Sequence, residues 1–567
     1  MKSKPMARAL FALLAASLAL GATPPWAEEA AVVPAPAVPQ ASEGLAETPA
    51  AVPLAPEAAA LRDAMAPLLA ALPEGEAGAI GQFYAWRAYA PFWTEPGSPR
   101  AAELAAALDA GPAQALPRAR YGAADFAAPL AAPEPGAMAE REVAATRAYL
   151  RFATDLSKGV VAPSAISEEI TRKPVAPAPA ALLAALDGGT VAEALRGFEP
   201  QDPDYRRLMA EKARLEELGR TGSWGPEVAE GPTLHPGDAG PRVGEIRARL
   251  ARLGYLVPAG EEIATGFDGG LAQAVMQFQR DHGLNDDGVV GAMTLAALNA
   301  PVETRLAQVA VNLERLRWSN DAPEARYLLV NIPDFGVTLW QDGTPIWSSK
   351  VVVGKAHVTE TPEFDGVVKT MVVNPTWHIP DSIAIRDYLP KLQRNPMVLK
   401  NQGIDLMTRK GTVINPKLVD FTQYTPENFP FRIKQRPSDD NALGEVKFLF
   451  PNQHSVYMHD TPHKEYFARD VRAYSNGCIR LEKPVELAHI LLEGQSADPA
   501  ATYAGLRASG KERGVTLEQT IPVHIVYRTV TFDADGTARY RPDVYGRDAK
   551  IFEALEAAGV TLPAAQG

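Results

Sequence analysis

The residues with the clearest chemical potential are Cys478 and His459. Cys478 is the only cysteine among 567 residues and lies in the short polar turn YSNGCIRLE, Tyr474–Glu482. His459 ends the strand-like stretch SVYMHD, nineteen residues earlier. A cysteine nucleophile needs a base that makes the thiolate and hydrogen-bond donors that stabilise an oxyanion. The histidine can supply the base, and the turn offers the N–H groups of Gly477 and Cys478, because glycine lets the backbone approach a ligand closely.

A lone cysteine also has a structural explanation. A free cysteine is often buried and then behaves as a small hydrophobic side chain. In an exported protein, however, an odd cysteine is usually a partner for another chain or a reactive thiol. The meaning of Cys478 therefore depends on the compartment in which the protein works.

The N-terminal residues predict export. A basic start precedes the apolar run Ala9–Ala22, which has the length of a signal-peptide core and is short for a bilayer-spanning helix. We predict a signal peptide over residues 1–27, with an uncleaved membrane anchor as the alternative. Residues 28–58 are rich in Ala and Pro and predict a disordered tether, because they hold too few bulky apolar side chains to offset the entropy of ordering.

The composition is that of a globular protein, with 46% hydrophobic and 22% charged residues. The length predicts about three or four domains. The formal net charge is -12, and no basic run interrupts the chain. This charge excludes nucleic acid and anionic lipid surfaces as the expected partners.

The first half of the chain has helical patterns. Residues 59–230 predict a helical domain that includes the aromatic segment Phe83–Trp93. We interpret these aromatic side chains as a helix-packing core, with a sugar or peptide platform as the alternative. Residues 234–299 predict three short amphipathic helices that form a small bundle, and residues 300–325 predict a connecting helix.

The second half of the chain has the period of strands. Val, Ile, Thr and Trp are frequent after residue 326, and Asp342-Gly343 is a typical hairpin turn between two such runs. Residues 326–545 therefore predict a sheet-rich domain. Within it, residues of about 391–441 are irregular and polar, which favours a lid. Residues 546–567 are predicted to be a C-terminal tail.

The predicted bundle resembles a known wall-binding domain. The segment FQRDHGLNDDGVVG, Phe278–Gly291, is similar to the core of the three-helix peptidoglycan-binding domain found in cell-wall hydrolases. The resemblance implies a wall-binding or docking role. The alternative is a bundle that packs on its neighbours and binds nothing by itself.

The segment around the cysteine resembles the active-site segment of L,D-transpeptidases, the YkuD-type cysteine enzymes that cross-link peptidoglycan. Their pattern is a histidine followed at some distance by S-H-G-C-x-R. Ser475, Gly477, Cys478 and Arg480 match this pattern, whereas Asn476 departs from the usual middle histidine. The departure puts in doubt any part that this side chain plays.

Within that family, the chain resembles the large periplasmic members of Gram-negative bacteria. The resemblance implies a multidomain α+β protein with a helical scaffold domain, a three-helix peptidoglycan-binding bundle, and a mainly β YkuD-type catalytic domain with a lid insertion. It also implies a periplasmic location and no cofactor. The expected partners are peptidoglycan stem peptides, one as tetrapeptide donor and one as diaminopimelate acceptor.

The resemblance implies roles for the central residues. Cys478 would be the nucleophile, and His459 its general base and acid. The imidazole would be oriented by a backbone carbonyl, that of Asp460, whose own carboxylate is interpreted as a turn group. The N–H groups of Gly477 and Cys478 would form the oxyanion hole, with the Tyr457 hydroxyl as a third donor.

Further residues are expected to support this centre. Ser475 and Asn476 belong to the nucleophile turn. Arg480 is interpreted as a support of that turn, with binding of a substrate carboxylate as the alternative. Trp377 and Asn374 would line the acyl-donor groove, with core packing as an equal alternative.

The implied activity is formation of 3→3 peptidoglycan cross-links through a Cys478 thioester, with release of D-Ala from tetrapeptide stems and inhibition by carbapenems. Two alternatives stay open. A zinc-dependent peptidoglycan peptidase is suggested by His459 and His463, four residues apart, but Pro462 lies between them and no H-E-x-x-H is present. The other alternative is a non-catalytic wall-binding protein in which Cys478 is inert.

Overall fold

The described part of the chain holds all the predicted domains. A computed structural model describes residues 54–563 apart from 123–125, 127, 129–133, 223, 257–264 and 320–323. The predicted signal peptide and nearly all of the predicted tether lie outside the described residues. Among the residues that are described, no helix combines the length and apolar character needed to cross a bilayer.

The helices are numbered in chain order. They are α1 Pro56–Ala70, α2 Glu74–Trp86, α3 Arg100–Asp109, α4 Pro135–Lys158, α5 Pro163–Ile166, α6 Pro179–Ala184, α7 Val191–Arg196, α8 Pro203–Arg220, α9 Pro241–Arg252, α10 Gly269–Asp281, α11 Ala292–Leu298, α12 Val302–Arg317, α13 Asp381–Ile383, α14 Leu389–Arg394, α15 Pro484–Leu492, α16 Pro499–Ala508 and α17 Arg547–Ala557. A single π turn, Ala384–Tyr388, joins α13 to α14.

The strands are β1 Arg326–Asn331, β2 Gly336–Gln341, β3 Thr344–Gly354, β4 Phe364–Val373, β5 Trp377–Ile379, β6 Ile404–Met407, β7 Val413–Ile414, β8 Arg432–Gln435, β9 Val446–Leu449, β10 Met458–His459, β11 Ala473–Ser475, β12 Ile479–Leu481, β13 Arg513–Val526, β14 Val530–Phe532 and β15 Ala538–Tyr540.

The helices α1–α4, α6 and α7 form the scaffold and share one apolar core. Phe83, Tyr84, Phe92 and Trp93 are all buried in it, and the rings of Phe92 and Trp93 meet edge to face with centroids 4.8 Å apart. The core-packing interpretation of this aromatic segment is therefore confirmed. A buried carboxylate, Glu142, accepts a 2.6 Å hydrogen bond from the Tyr84 hydroxyl and so satisfies that polar group inside the core.

The helices α9–α11 form the predicted bundle with a core of its own. Val243, Ile246 and Leu250 are fully buried, as the three- and four-residue spacing predicts. The His282 ring lies between Phe278 of the bundle and Tyr540 of β15, with centroids 3.8 and 5.8 Å away. The bundle is thus packed directly on the β14–β15 ribbon.

The long helix α12 connects the domains and is buried along most of its length. It packs against α8 and α17, and its Arg315 pairs with both Glu363 and Asp548. The prediction of a C-terminal tail over residues 546–567 is wrong for α17, whose Ile551 and Leu555 are fully buried. The correction follows from tertiary packing, since an 11-residue helix is marginal without a partner.

The sheet-rich domain is built on nine strands in the order β11-β3-β12-β10-β9-β4-β13-β1-β2. β3 pairs with β2 along its first half and with β12 and β11 along its second half, so the sheet closes on itself. The β2–β3 hairpin turns at Asp342 and Gly343, which have φ of 50° and 75°. The hairpin prediction is therefore confirmed.

The predicted lid is a small folded unit inserted between β4 and β9. Strands β5-β8-β6-β7 form a separate four-stranded sheet, and its apolar core is distinct from that of the large sheet. The unit, called the insertion below, spans Trp377–Gln435. It begins earlier than the predicted residue 391 because β5 pairs with the distant strand β8, which local sequence does not reveal.

Candidate active site

The turn between β11 and β12 carries Cys478 and is called the nucleophile turn after the role expected for that residue. Its conformation is fixed by Ser475, whose hydroxyl donates to the Cys478 carbonyl at 2.5 Å and accepts from the Gly477 N–H at 3.1 Å. Gly477 has φ of 106°, a conformation that side chains with a Cβ rarely adopt. The serine and glycine of the motif therefore shape the turn that presents the thiol.

The loop that follows β3 forms hydrogen bonds to the same turn. The Thr359 hydroxyl donates to the Ser475 carbonyl at 2.9 Å, and the Thr361 hydroxyl donates to the Gly477 carbonyl at 2.8 Å. The loop packs so tightly on Gly354 that a Cβ there would lie 1.9 Å from the Thr359 carbonyl oxygen. The carbonyl groups of Ser475 and Gly477 are thus both held by hydroxyl groups of this loop.

The loop is held in turn by residues just before and inside α17. The Tyr545 hydroxyl donates to the Gly354 carbonyl at 2.8 Å and accepts from the Thr361 N–H at 3.2 Å. Arg547 donates to Glu360 at 2.9 Å and to Glu363 at 2.8 Å. A chain of contacts therefore runs from the C-terminal region to the nucleophile turn.

The histidine lies on β10, which is paired with β12 in parallel so that His459 stands opposite Arg480. Its Nδ1 is 2.5 Å from the carbonyl oxygen of Asp460, so Nδ1 carries the proton and Nε2 is left to accept one. Burial, with a smaller effect of the Arg480 charge, lowers the pKa of His459 to about 3. The imidazole is neutral at physiological pH and can act as a base.

The thiol of Cys478 is also neutral at rest. Burial raises its pKa, while hydrogen bonds from Tyr457 and the charge of Arg480 oppose that rise. Sγ lies 3.8 Å from the Ser455 carbonyl oxygen. Tyr457 is hydrogen-bonded to the thiol, and its ring centroid is 5.5 Å from that of His459. The arrangement is a neutral thiol and a neutral imidazole, with no hydrogen bond between them among the described residues.

Two donors are available to an oxyanion beside Sγ. Within the described structure the Cys478 N–H has no hydrogen-bond acceptor, and the Tyr457 hydroxyl lies at the thiol. The Gly477 N–H was also expected to donate to the oxyanion, but it already donates to the Ser475 hydroxyl. Of the expected oxyanion donors, the Cys478 N–H and the Tyr457 hydroxyl are therefore left available, and Gly477 contributes the shape of the turn.

Family models match three parts of the chain. Residues 325–500, which hold the thiol and the imidazole, match the YkuD L,D-transpeptidase catalytic domain. This part of the chain is therefore similar to an L,D-transpeptidase catalytic domain. Residues 78–211 match the model described as a scaffold domain, and residues 239–298 match a “Putative peptidoglycan binding domain”. The expected multidomain α+β fold is confirmed.

Two curated proteins are similar to parts of the chain. A Haemophilus influenzae protein named “Putative L,D-transpeptidase” is 33% identical over 250 residues, which cover 44% of this chain and 50% of that protein. The N-acetylmuramoyl-L-alanine amidase CwlM of Mycobacterium tuberculosis is 42% identical over 80 residues, covering 13% of this chain and 20% of that protein. The chain thus spans about half the length of the curated transpeptidase relative.

Solved structures add little to this assignment. The L,D-transpeptidase from Xylanimonas cellulosilytica is 14% identical and covers 53% of this chain and 100% of its own, with a TM-score of 0.15. The L,D-transpeptidase from Stackebrandtia nassauensis is 12% identical, covers 53% and 97%, and has a TM-score of 0.20. Superpositions with such low scores do not define a shared fold.

The sheet-rich domain extends beyond the matched span. β13, which follows residue 500, lies between β4 and β1 and pairs with both of them. The sheet that carries the nucleophile turn therefore needs residues outside 325–500.

Arg480 is a cation close to the Cys478 thiol. Its guanidinium lies 5.9 Å from the Tyr466 ring centroid and makes no ion pair with any described carboxylate. Its Nε is buried without a hydrogen-bond partner among the described atoms. Its charge acts on the pKa of both Cys478 and His459, so its clearest effect is electrostatic.

Asp460 orients the base through its backbone. Its carboxylate accepts from the Glu445 N–H at 2.8 Å and from Lys464 Nζ at 2.5 Å, while its carbonyl oxygen receives the His459 proton. The carboxylate is thus engaged in the turn after β10, in agreement with the interpretation of Asp460 as a turn group.

Asn374 does not line a groove. It is buried with φ of 50°, and its side-chain nitrogen donates to the Leu506, Arg507 and Lys511 carbonyls at 3.1, 3.1 and 3.2 Å. This correction follows from its hydrogen bonds, all of which anchor the end of β4 to the C-terminal end of α16. Trp377, in contrast, lines a cavity of about 370 Å³ next to the nucleophile turn.

The insertion reaches the turn through Arg386. Its guanidinium donates to the side-chain oxygen of Asn476 at 2.8 Å, across the mouth of the same cavity. Sequence reasoning missed Arg386, as well as Lys391 and Arg394 on the cavity wall. The basic residues clustered in this stretch were the available signal, but nothing local connects them to a turn ninety residues away.

The histidines that suggested zinc have other partners. His459 is bound to the Asp460 carbonyl, and His463 lies 3.2 Å from Glu465. The part of the chain that the structure describes holds no group of three or more His, Cys, Asp or Glu side chains arranged to hold a metal ion.

Proposed function

We propose that the protein is an L,D-transpeptidase that acts on peptidoglycan stem peptides in the periplasm, after export by the signal peptide at residues 1–27. The observation that carries the proposal is the thiol of Cys478 on a glycine turn just before β12, which lies beside the strand β10 that carries a neutral imidazole whose Nδ1 is held by a backbone carbonyl. The match of residues 239–298 to a peptidoglycan-binding model supports the same substrate.

Acylation begins when Nε2 of His459 takes the thiol proton. Sγ of Cys478 then attacks the carbonyl carbon between the L-centre of diaminopimelate and the terminal D-Ala of a tetrapeptide stem. A C–S bond forms, and the carbonyl electron pair moves to the oxygen, which accepts from the Cys478 N–H and the Tyr457 hydroxyl. Collapse breaks the C–N bond, and His459 returns its proton to the departing D-Ala amine.

Deacylation reverses these roles. The side-chain amine of a second diaminopimelate attacks the thioester and loses its proton to His459. The C–S bond breaks, an amide forms, and the protonated imidazole returns the proton to the Cys478 sulfur. The product is a 3→3 cross-link. Water in place of the amine gives a free carboxylate and an L,D-carboxypeptidase side activity.

Because the thiol and the imidazole are both neutral at rest, the thiol is weakly reactive until a substrate is bound. Burial raises the pKa of Cys478 and lowers that of His459, so little thiolate forms in the free enzyme. The Arg480 charge favours the thiolate once the proton has moved. Each oxyanion donor contributes about a hundredfold to a thousandfold in rate when it is aimed at the developing charge.

The test is incubation of the full chain with purified disaccharide-tetrapeptide, followed by mass spectrometry. We expect free D-Ala and a dimer lighter than two substrates by one D-Ala, and neither product from Cys478→Ala. Loss of D-Ala without a dimer would identify water as the acceptor. The absence of D-Ala release from a folded wild-type protein would overturn the proposal.

A further inference from the structure

We propose that the cavity between the insertion and the nucleophile turn is a subsite for a carboxylate of the stem peptide, held by Arg386, Lys391 and Arg394. The inference rests on the proposed function, because the substrate it names is the one proposed above. The cavity measures about 370 Å³, and Trp377 and Tyr388 contribute to its walls.

The charges on the cavity wall are unbalanced. Three cationic side chains and one carboxylate, Asp387, line it. Asp387 is already committed to Arg386 at 2.8 Å, and that hydrogen bond is the main reason that its pKa is lowered. The remaining positive charge of the cavity has no counterpart among its own lining residues.

Two of the cations have no acidic partner within the described structure. Lys391 Nζ lies 5.2 Å from the Tyr388 ring centroid, and Arg394 Nε donates to the Pro390 carbonyl at 3.2 Å. Neither forms an ion pair with a described carboxylate. Both are exposed on the cavity side of α14, at positions where a ligand carboxylate can reach them.

The cavity borders the nucleophile turn. Asn476, which closes one side of it, lies two residues before Cys478 and accepts from Arg386 at 2.8 Å. A stem peptide with its scissile carbonyl at Sγ carries two carboxylates within a few bonds, one on the D-centre of diaminopimelate and one on the terminal D-Ala. The shared chemistry of the ligand is a carboxylate held by guanidinium and ammonium groups.

The first test compares alkylation of Cys478 by iodoacetate and by iodoacetamide, which differ in charge at similar size. The variant is the double substitution Lys391→Gln and Arg394→Gln, and the control is Lys417→Gln, an exposed cation of the insertion outside the cavity. We expect the iodoacetate-to-iodoacetamide rate ratio to fall by about threefold to tenfold in the variant, from two modest charge interactions. The control should keep the wild-type ratio, since Arg480 is present in all three proteins.

The second test identifies the carboxylate. Tetrapeptide substrates are prepared with an amide in place of either the diaminopimelate or the D-Ala carboxylate. The amide that replaces the bound group should raise KM about threefold to tenfold in the wild type and have no effect in the double variant.

The outcomes separate the subsite from the proposed function. An unchanged alkylation ratio in the double variant, or substrates that respond equally in both proteins, would overturn the subsite. A wild type that releases no D-Ala from any tetrapeptide would overturn the proposed function, and the alkylation ratio would still decide whether the cavity attracts anions.

Discussion

Arg386 of the insertion donates a 2.8 Å hydrogen bond to Asn476 of the nucleophile turn. Asn476 is the position at which the chain departs from the S-H-G-C-x-R pattern, and its side chain here serves as a contact for the insertion. The insertion is a separately folded unit with its own sheet and core. The contact between Arg386 and Asn476 is therefore a candidate restraint on access to Cys478.

Removing this contact should expose the thiol. We expect Arg386→Ala to react with neutral iodoacetamide about twofold to tenfold faster than the wild type, as for the loss of one hydrogen bond. Lys417→Ala, an exposed cation of the insertion away from the cavity, should react at the wild-type rate. Equal rates for Arg386→Ala and the wild type would mean that the insertion does not restrict entry through this contact.

Cys478→Ala should lose all D-Ala release while keeping the fold. The side chain is only partly buried, so the free energy of unfolding should change by less than about 1 kcal/mol. Iodoacetamide should label the wild type at one site, and a carbapenem should leave one adduct on the peptide that contains Cys478. A carbapenem adduct on a serine would identify a different nucleophile.

The buried imidazole should make stability depend on pH. Burial holds the pKa of His459 at about 3, against 6.5 in the unfolded chain. Between these two pH values His459 is protonated in the unfolded chain and neutral in the folded protein. Its contribution to the free energy of unfolding is therefore complete above pH 6.5 and declines as the pH falls toward 3. Relative to His459→Asn, wild-type stability in urea should fall by up to about 1.4 kcal/mol per pH unit in that window. Parallel curves for the two proteins would show that His459 does not titrate in this way.

Removing the cation beside the nucleophile should make the thiol less acidic. The charge of Arg480 opposes the effect of burial on the pKa of Cys478, so Arg480→Gln should move the alkylation midpoint to higher pH. The iodoacetamide rate near neutral pH should fall accordingly. Arg469→Gln, which removes an exposed cation stacked on Tyr466, is the control and should leave the midpoint in place.

The support from the C-terminal region should be measurable in turnover. Tyr545→Phe removes a hydroxyl that bonds both Gly354 and Thr361, and we expect it to cost about 1–3 kcal/mol of stability. Turnover should fall in protein that is still fully folded. Tyr149→Phe, which removes a buried hydroxyl bonded to the Leu182 carbonyl in the scaffold, should cost similar stability without slowing the enzyme. Equal turnover in the two variants would leave Tyr545 with a purely structural role.

The sequence alone predicted those elements whose structure is determined by neighbouring residues in the chain. The spacing of Val243, Ile246 and Leu250 places them on one helix face, and all three are buried in the bundle. Asp342-Gly343 predicted its hairpin because the two positive φ angles are a property of the turn itself. Cys478 and His459 were found from residue type and motif, and the sheet places their strands side by side.

Long-range contacts explain what the sequence did not reveal. Residues 546–567 were predicted to be a tail, whereas α17 is stabilised by burial against α12. For Asn374 the sequence left a groove and core packing equally open, and the partners that decide for packing lie more than a hundred residues away in the chain. The role of Arg386 depends on the fold of the insertion, and the spacing of apolar residues in this polar segment does not predict that fold.

The position of β13 has a consequence for how this chain reaches its folded state. β13 is placed between β4 and β1 and pairs in parallel with β1, almost two hundred residues earlier. Pairings over such separations form slowly, so apolar strands remain exposed while the chain folds. A chain with a single cysteine cannot form a wrong internal disulfide during that interval, even in an oxidising compartment. With a single thiol, no intramolecular disulfide can form and trap a misfolded intermediate while the sheet closes slowly.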